Sequence, residues 1–160
     1  VIGPHREDLF WLDGIEQQAQ MYGLSGLRVV HPDKWLEEGD TLTVGELRFD
    51  VVHCPGHTPG HLVFYNTDLE LAFVGDVLFA GSIGRTDFPR GNFNDLVGSI
   101  ITKLWPLGDD MAFVPGHGPM STFGQERQDN PFVADSLTGY AGAEKQAASE
   151  IDQKLSKRYS

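Results

Sequence analysis

Apolar residues follow two rhythms along this chain, and the switches between them delimit its elements. From Arg6 to Tyr22 the apolar positions Leu9, Phe10, Leu12, Ile15, Ala19 and Tyr22 recur near helical spacing and stop at Gly23, which predicts one amphipathic helix. Val29-Val30, followed by His31-Pro32-Asp33, reads as a short strand closed by a turn, and Lys34 to Asp40 as a polar connection. Thr41 to Val44 and Leu47 to Val52 are β-rich runs separated by Gly45-Glu46, a hairpin with Gly where a type II′ turn needs positive φ. Asn66-Thr67-Asp68 joins a second pair of runs, Leu62 to Tyr65 and Leu69 to Val74. Val77 to Gly91 has Gly and polar residues but no sustained period, the mark of a loop with a function. Asn94 is the expected cap of a helix with Leu96, Ile100, Ile101 and Leu104 on one face, ended by Trp105-Pro106. Met111 to Val114 is a further strand, and Gln125 to Asn130 a polar helical segment stopping before Pro131. From Tyr140 onward Ala143, Ala147, Ile151 and Leu155 form a weak stripe, so the expected division is a domain over 1–133 and a weakly helical or mobile tail over 134–160.

Length and charge narrow the function classes. One domain of 160 residues can bury a real core, and 12 Lys and Arg against 23 Asp and Glu give a formal net charge of -11. Phosphate recognition needs clustered cations and none are clustered here, which argues against nucleic acid and anionic membrane surfaces as partners. The single Cys54 excludes an intrachain disulfide. No apolar run approaches the roughly 18–20 residues of a membrane span, and the start lacks a basic region followed by an apolar one. The expectation is a cytoplasmic protein, a monomer or weak oligomer acting on a small molecule.

Three apolar runs end in metal-ligand residue types. Phe49 to Val52 leads into His53-Cys54-Pro55-Gly56-His57-Thr58-Pro59-Gly60-His61, Leu71 to Gly75 into Asp76, and Met111 to Gly116 into His117. Imidazoles crowded on a Pro- and Gly-rich loop between two strands suggest a metal site. His57 lies on the tightest part of that turn and His117 between two glycines, so both read as ligands. Asp76 does too, because an ionised carboxylate closing a buried strand needs a cation or several donors. His53 shares a strand face with Phe49 and Val51, and His61 opens the next strand; both read as supports. His5 and His31 sit beside Pro in isolated turns and Cys54 reads as a small buried residue, none of them a ligand. No Ser or Cys arrangement suggests a nucleophilic triad.

Four runs in register carry a resemblance: His57-Thr58-Pro59-Gly60-His61, Gly75-Asp76-Val77-Leu78-Phe79, Gly84-Arg85-Thr86-Asp87-Phe88-Pro89 and Pro115-Gly116-His117-Gly118-Pro119. Together they resemble the metallo-β-lactamase superfamily, and within it the short single-domain type II glyoxalases, or hydroxyacylglutathione hydrolases. The resemblance implies an α+β fold, a four-layer αββα sandwich with metals at one edge between two sheets. It implies that His57 and His117 each bind one of two metals and that Asp76, the catalytic bridging carboxylate, binds both. His61 matches a position beside the site, and Arg85 one that meets the anionic glutathione moiety. Zinc is the first expectation for the ions, with iron or manganese also suited to His and Asp donors. The implied reaction is hydrolysis of a hydroxyacylglutathione thioester by a metal-bound hydroxide. An iron-dependent glutathione persulfide dioxygenase is the alternative, because Gly84 to Phe88 also resembles that branch.

The family's first metal motif, His-x-His-x-Asp-His, belongs upstream of a strand like Val1-Ile2-Gly3-Pro4, where this chain opens. The chain therefore reads as N-terminally truncated, with an incomplete metal site and little hydrolysis of its own expected. Gly118-Pro119 stand where glutathione-binding members carry an acidic-aromatic pair.

Overall fold

The computed structural model describes residues 1–140. Its centre is a six-stranded mixed sheet in the order β1-β2-β3-β4-β7-β8. The strands are β1 (Thr41–Val44), β2 (Leu47–His53), β3 (Leu62–Asn66), β4 (Leu71–Gly75), β7 (Ala112–Pro115) and β8 (Ser121–Thr122). A two-stranded hairpin, β5 (Leu78–Phe79) and β6 (Ser82–Ile83), stands apart from it. Gly45 turns β1 into β2 at φ 61°, as the two-residue loop requires. β3 runs antiparallel to both β2 and β4, and β4 pairs parallel with β7. The C-terminal ends of β2, β4 and β7 consequently share one end of the sheet.

Alternation along the strands sends two sets of side chains to opposite faces. Val52, Val63, Ala72, Val74 and Phe113 meet the helices in the main core. Val51, Leu62 and Phe64 meet Leu36 on the other face. The helical side is α3 (Phe93–Ser99), continued by a wide turn over Ile100–Leu104 and a tight one over Trp105–Leu107, together with α4 (Phe123–Asp129). Leu96, Ile100, Leu104, Trp105 and Phe123 are buried there.

Four local expectations change. The helix expected from Arg6 to Tyr22 is three pieces: a tight turn over Arg6–Asp8, then α1 (Leu9–Asp13) and α2 (Ile15–Met21). Gly14 takes the break at φ -86°, ψ -1°, and apolar spacing cannot register it. Val29-Val30 forms no strand, because no described residue pairs with it; the neighbouring backbone contact is instead a parallel bridge between Ile2 and Lys34. The strand expected from Leu69 begins at Leu71, after an exposed turn in which Glu70 adopts φ 48°. The cap of α3 is Asn92, whose side-chain oxygen accepts from the Asp95 amide at 3.0 Å, two residues before Asn94.

Residues 134–140 pack on the body. α5 (Asp135–Thr138) is tied down by Arg127, which donates to both Asp135 carboxylate oxygens at 3.1 and 2.8 Å, and Tyr140 lies against the core beneath that guanidinium. The stripe from Ala143 to Leu155 lies outside the described residues. No described helix is long and apolar enough to cross a membrane.

Candidate metal centre

Strand order brings the ligand types together. Asp76 follows β4 and His117 follows β7, and because these strands are parallel neighbours the two residues leave the sheet side by side. The Gly116 amide donates to the Gly75 carbonyl at 2.8 Å and fixes their offset. The loop after β2 carries His57 in from the other side of β4. Asp76 stands between them: its Oδ2 is 3.7 Å from His57 Nε2 and its Oδ1 is 3.8 Å from His117 Nε2.

Small residues make room for this approach. A Cβ on Gly116 would lie 2.2 Å from Asp76 Oδ1, and a Cβ on Gly75 would lie 2.6 Å from His61 Nε2. Gly75 also adopts φ 53°, so any other residue would be strained there as well as crowded.

Each histidine has a defined task. His57 is buried, and its Nδ1 lies 2.8 Å from the Arg85 carbonyl, which can only accept. Nδ1 therefore carries a proton, and Nε2 faces Asp76. His61 donates from Nε2 to the Val74 carbonyl at 3.1 Å. Burial, and next the neighbouring His57, hold its imidazole below the usual histidine range, so it supports the site as a neutral donor. His53 donates from Nε2 to the Pro59 carbonyl at 2.7 Å and stacks on His5 with 4.2 Å between ring centroids. It closes the loop on itself, and its backbone amide donates to the Glu38 carboxylate at 3.1 Å. His117 is exposed, and its ring stacks on Phe79 at 4.5 Å.

His57, Asp76, Arg85 and His117 line a cleft of about 450 Å³ whose walls are Phe79, Ile83, Phe88 and Pro119. The Arg85 guanidinium is held by Asp87 through bonds of 2.6 and 2.7 Å and lies 4.3 Å above the Phe88 ring. Asp87 in turn is kept below the usual carboxylate range by that guanidinium.

Sequence reading missed the residues that hold His57. Asp8 accepts from the Thr58 hydroxyl at 2.8 Å and from the Gly60 amide at 2.7 Å, with its two oxygens on either side of the loop. Phe88 packs edge-on against His57 and against Trp11 of α1. Nothing near Asp8 in the sequence marks it, because its partners lie 50 and 52 residues away.

The donor set fits divalent ions. A nitrogen and an oxygen sharing one ion at roughly 2.0–2.2 Å each stand about 3.0–3.5 Å apart, and both observed separations exceed this by only a few tenths of an ångström. No three His, Cys, Asp or Glu side chains among the described residues gather around one point. The arrangement is two donor pairs that share the Asp76 carboxylate.

Comparison with known proteins gives the same fold and family. The family model described as the metallo-beta-lactamase superfamily matches residues 1–117. The hydroxyacylglutathione hydrolase GloC of Haemophilus influenzae is 46% identical over 132 residues, covering 82% of this chain and 62% of that protein. The solved structure of TTHA1623 in a di-iron-bound form superposes with a TM-score of 0.72 at 39% identity, covering 81% of this chain and 63% of the other. BLEG-1, a B3 metallo-beta-lactamase, gives a TM-score of 0.72 at 37% identity with the same coverage, 81% and 63%. The chain spans less than two thirds of the length of each of these three. It belongs to the metallo-β-lactamase superfamily.

Proposed function

From that membership, we propose that the chain carries the His57, Asp76 and His117 portion of the metal centre of a hydrolase that cleaves hydroxyacylglutathione thioesters. The observation that carries the reading is the Asp76 carboxylate, which turns Oδ2 toward His57 and Oδ1 toward His117. A carboxylate so placed suits two ions better than one. The 46% identity to the Haemophilus influenzae hydrolase supports the substrate class. Zinc is the proposed metal; the di-iron form of TTHA1623 keeps iron within the same donor chemistry.

Bound there, the ions would supply hydroxide at neutral pH and polarise the thioester carbonyl. The remaining work falls to the chain's own side chains. The Arg85 carbonyl holds His57 in the tautomer that leaves Nε2 free. Phe79, Ile83 and Phe88 give the cleft apolar walls that seat the acyl group and restrict water. Arg85 stands in the cleft wall, where its side chain can meet a carboxylate of the thiol half in exchange for Asp87.

Two measurements test the proposal. The full-length gene product, loaded with zinc, should release free thiol from lactoylglutathione, and Asp76→Ala should reduce that rate at least a thousandfold. Stoichiometric metal together with no thiol release from any acylglutathione would refute it.

A further inference from the structure

Glu126 on α4 is a buried carboxylate, 3% exposed, and forms no ion pair among the described residues. Desolvating a charge without a counter-ion is costly, so its hydrogen bonds show what it serves. Its Oε1 accepts from the Ser121 hydroxyl at 2.6 Å; its Oε2 accepts from the Gly81 amide and from the Asn130 side-chain amide, both at 2.8 Å. Asn130, 1% exposed, donates from the same nitrogen to the Ser82 carbonyl at 3.1 Å. Two buried polar side chains one helical turn apart thus converge on Gly81-Ser82, the tip of the β5–β6 hairpin.

That hairpin needs an anchor. Its strands have two residues each, and a two-stranded hairpin is marginal by itself. It carries Phe79, and the Phe79 ring supports His117. The His117 side chain is 75% exposed; among the described residues it makes no hydrogen bond, only the 3.8 Å approach to Asp76 and the stack on Phe79.

We propose that Glu126, with Asn130, is the positioning residue for His117: the buried carboxylate fixes the hairpin tip, the hairpin fixes Phe79, and Phe79 fixes the imidazole. The mechanical claim stands on these contacts alone. Its consequence for metal binding rests on His117 being a ligand.

The test is NMR of the His117 imidazole C–H protons, assigned by their loss in His117→Gln. Stacking on Phe79 shifts them upfield, and Phe79→Leu defines the unstacked position. Glu126→Ala should carry them at least halfway to that position, while His31, in an exposed turn, stays unchanged. Glu126→Gln should restore them, because its oxygen can keep the Gly81 and Asn130 bonds while its amide donates to Ser121. Folded Glu126→Ala with unshifted His117 protons overturns the proposal. Should Glu126→Ala not fold, Glu126→Asp, which keeps the charge but shortens the reach to Gly81, must show the displacement, and its absence is equally fatal. Zinc titration supplies the second readout: affinity should fall about tenfold in Glu126→Ala and recover in Glu126→Gln. A displaced His117 ring with unchanged zinc affinity would support the clamp and refute His117 as a ligand.

Discussion

Removing Asp8 should loosen the loop that carries His57. The Asp8 carboxylate receives the Thr58 hydroxyl and the Gly60 amide, and a Cβ at Gly60 would lie 2.7 Å from it, so the contact is close-packed as well as hydrogen-bonded. Hydrogen bonds to a charged group contribute about 1.5–3 kcal/mol each. Asp8 is only half-buried, which favours the low end, so Asp8→Ala should cost about 3 kcal/mol for the pair. At about 2–4 °C per kcal/mol for a chain of this size, the melting temperature falls by about 6–12 °C. Asp8→Asn can keep the Gly60 bond through its oxygen and donate its amide to the Thr58 hydroxyl, so it loses the charge but should recover at least half of that loss. Amide hydrogen exchange localises the effect: protection at Gly60 should fall by about a hundredfold if the full 3 kcal/mol appears there. Unchanged Gly60 protection in Asp8→Ala would refute the account, because the carboxylate would then not be holding the loop.

Three further outcomes follow from named contacts. Gly116→Ala should displace the Asp76 carboxylate, lower stability by about 1–3 kcal/mol and abolish measurable zinc binding; retained zinc affinity in calorimetry would contradict the crowding of Asp76 there. Cys54 is fully buried and its thiol is pushed up to about 12 by burial, so a disulfide reagent at pH 8 should leave it unmodified in folded protein and label it on denaturation. Glu38 is held below its ordinary carboxylate value of 4.5 chiefly by the Lys103 ammonium, 2.6 Å away. Its stabilising contribution is present above that value and disappears as pH falls through the lowered folded value, so Lys103→Met should flatten the acid limb of urea-midpoint measurements; an unchanged limb would count against the pair.

What could be read from the sequence was whatever a short window encodes. The β1–β2 hairpin was visible because Gly45 sits between two β-rich runs, and the strand runs before Asp76 and His117 because both are apolar and short. Asp76 and His117 stood out in the sequence because each closes a short apolar run, and the structure brings their side chains within 3.8 Å of each other. The break at Gly14 was invisible because both halves of the helix keep the same apolar phase. Asp8 and Glu126 were hidden for another reason. Each lies in a charged stretch, Arg6-Glu7-Asp8 and Gln125-Glu126-Arg127, that reads as solvated surface, and only folding shows which of those charges turns inward onto a distant amide.

The bridging posture of Asp76 follows from the order of the strands. β4 lies between β3 and β7, so the His57 loop, which runs from β2 to β3, approaches Asp76 from one side, while His117 leaves β7 on the other. The two imidazoles arrive from opposite sides, and each faces its own carboxylate oxygen. The parallel β4–β7 pair sets the spacing, Gly116 admits the carboxylate between the rings, and the Arg85 carbonyl fixes the orientation of the His57 ring. The placement of Asp76 between the two imidazoles is therefore a property of the backbone path, which sets its carboxylate where both rings reach it.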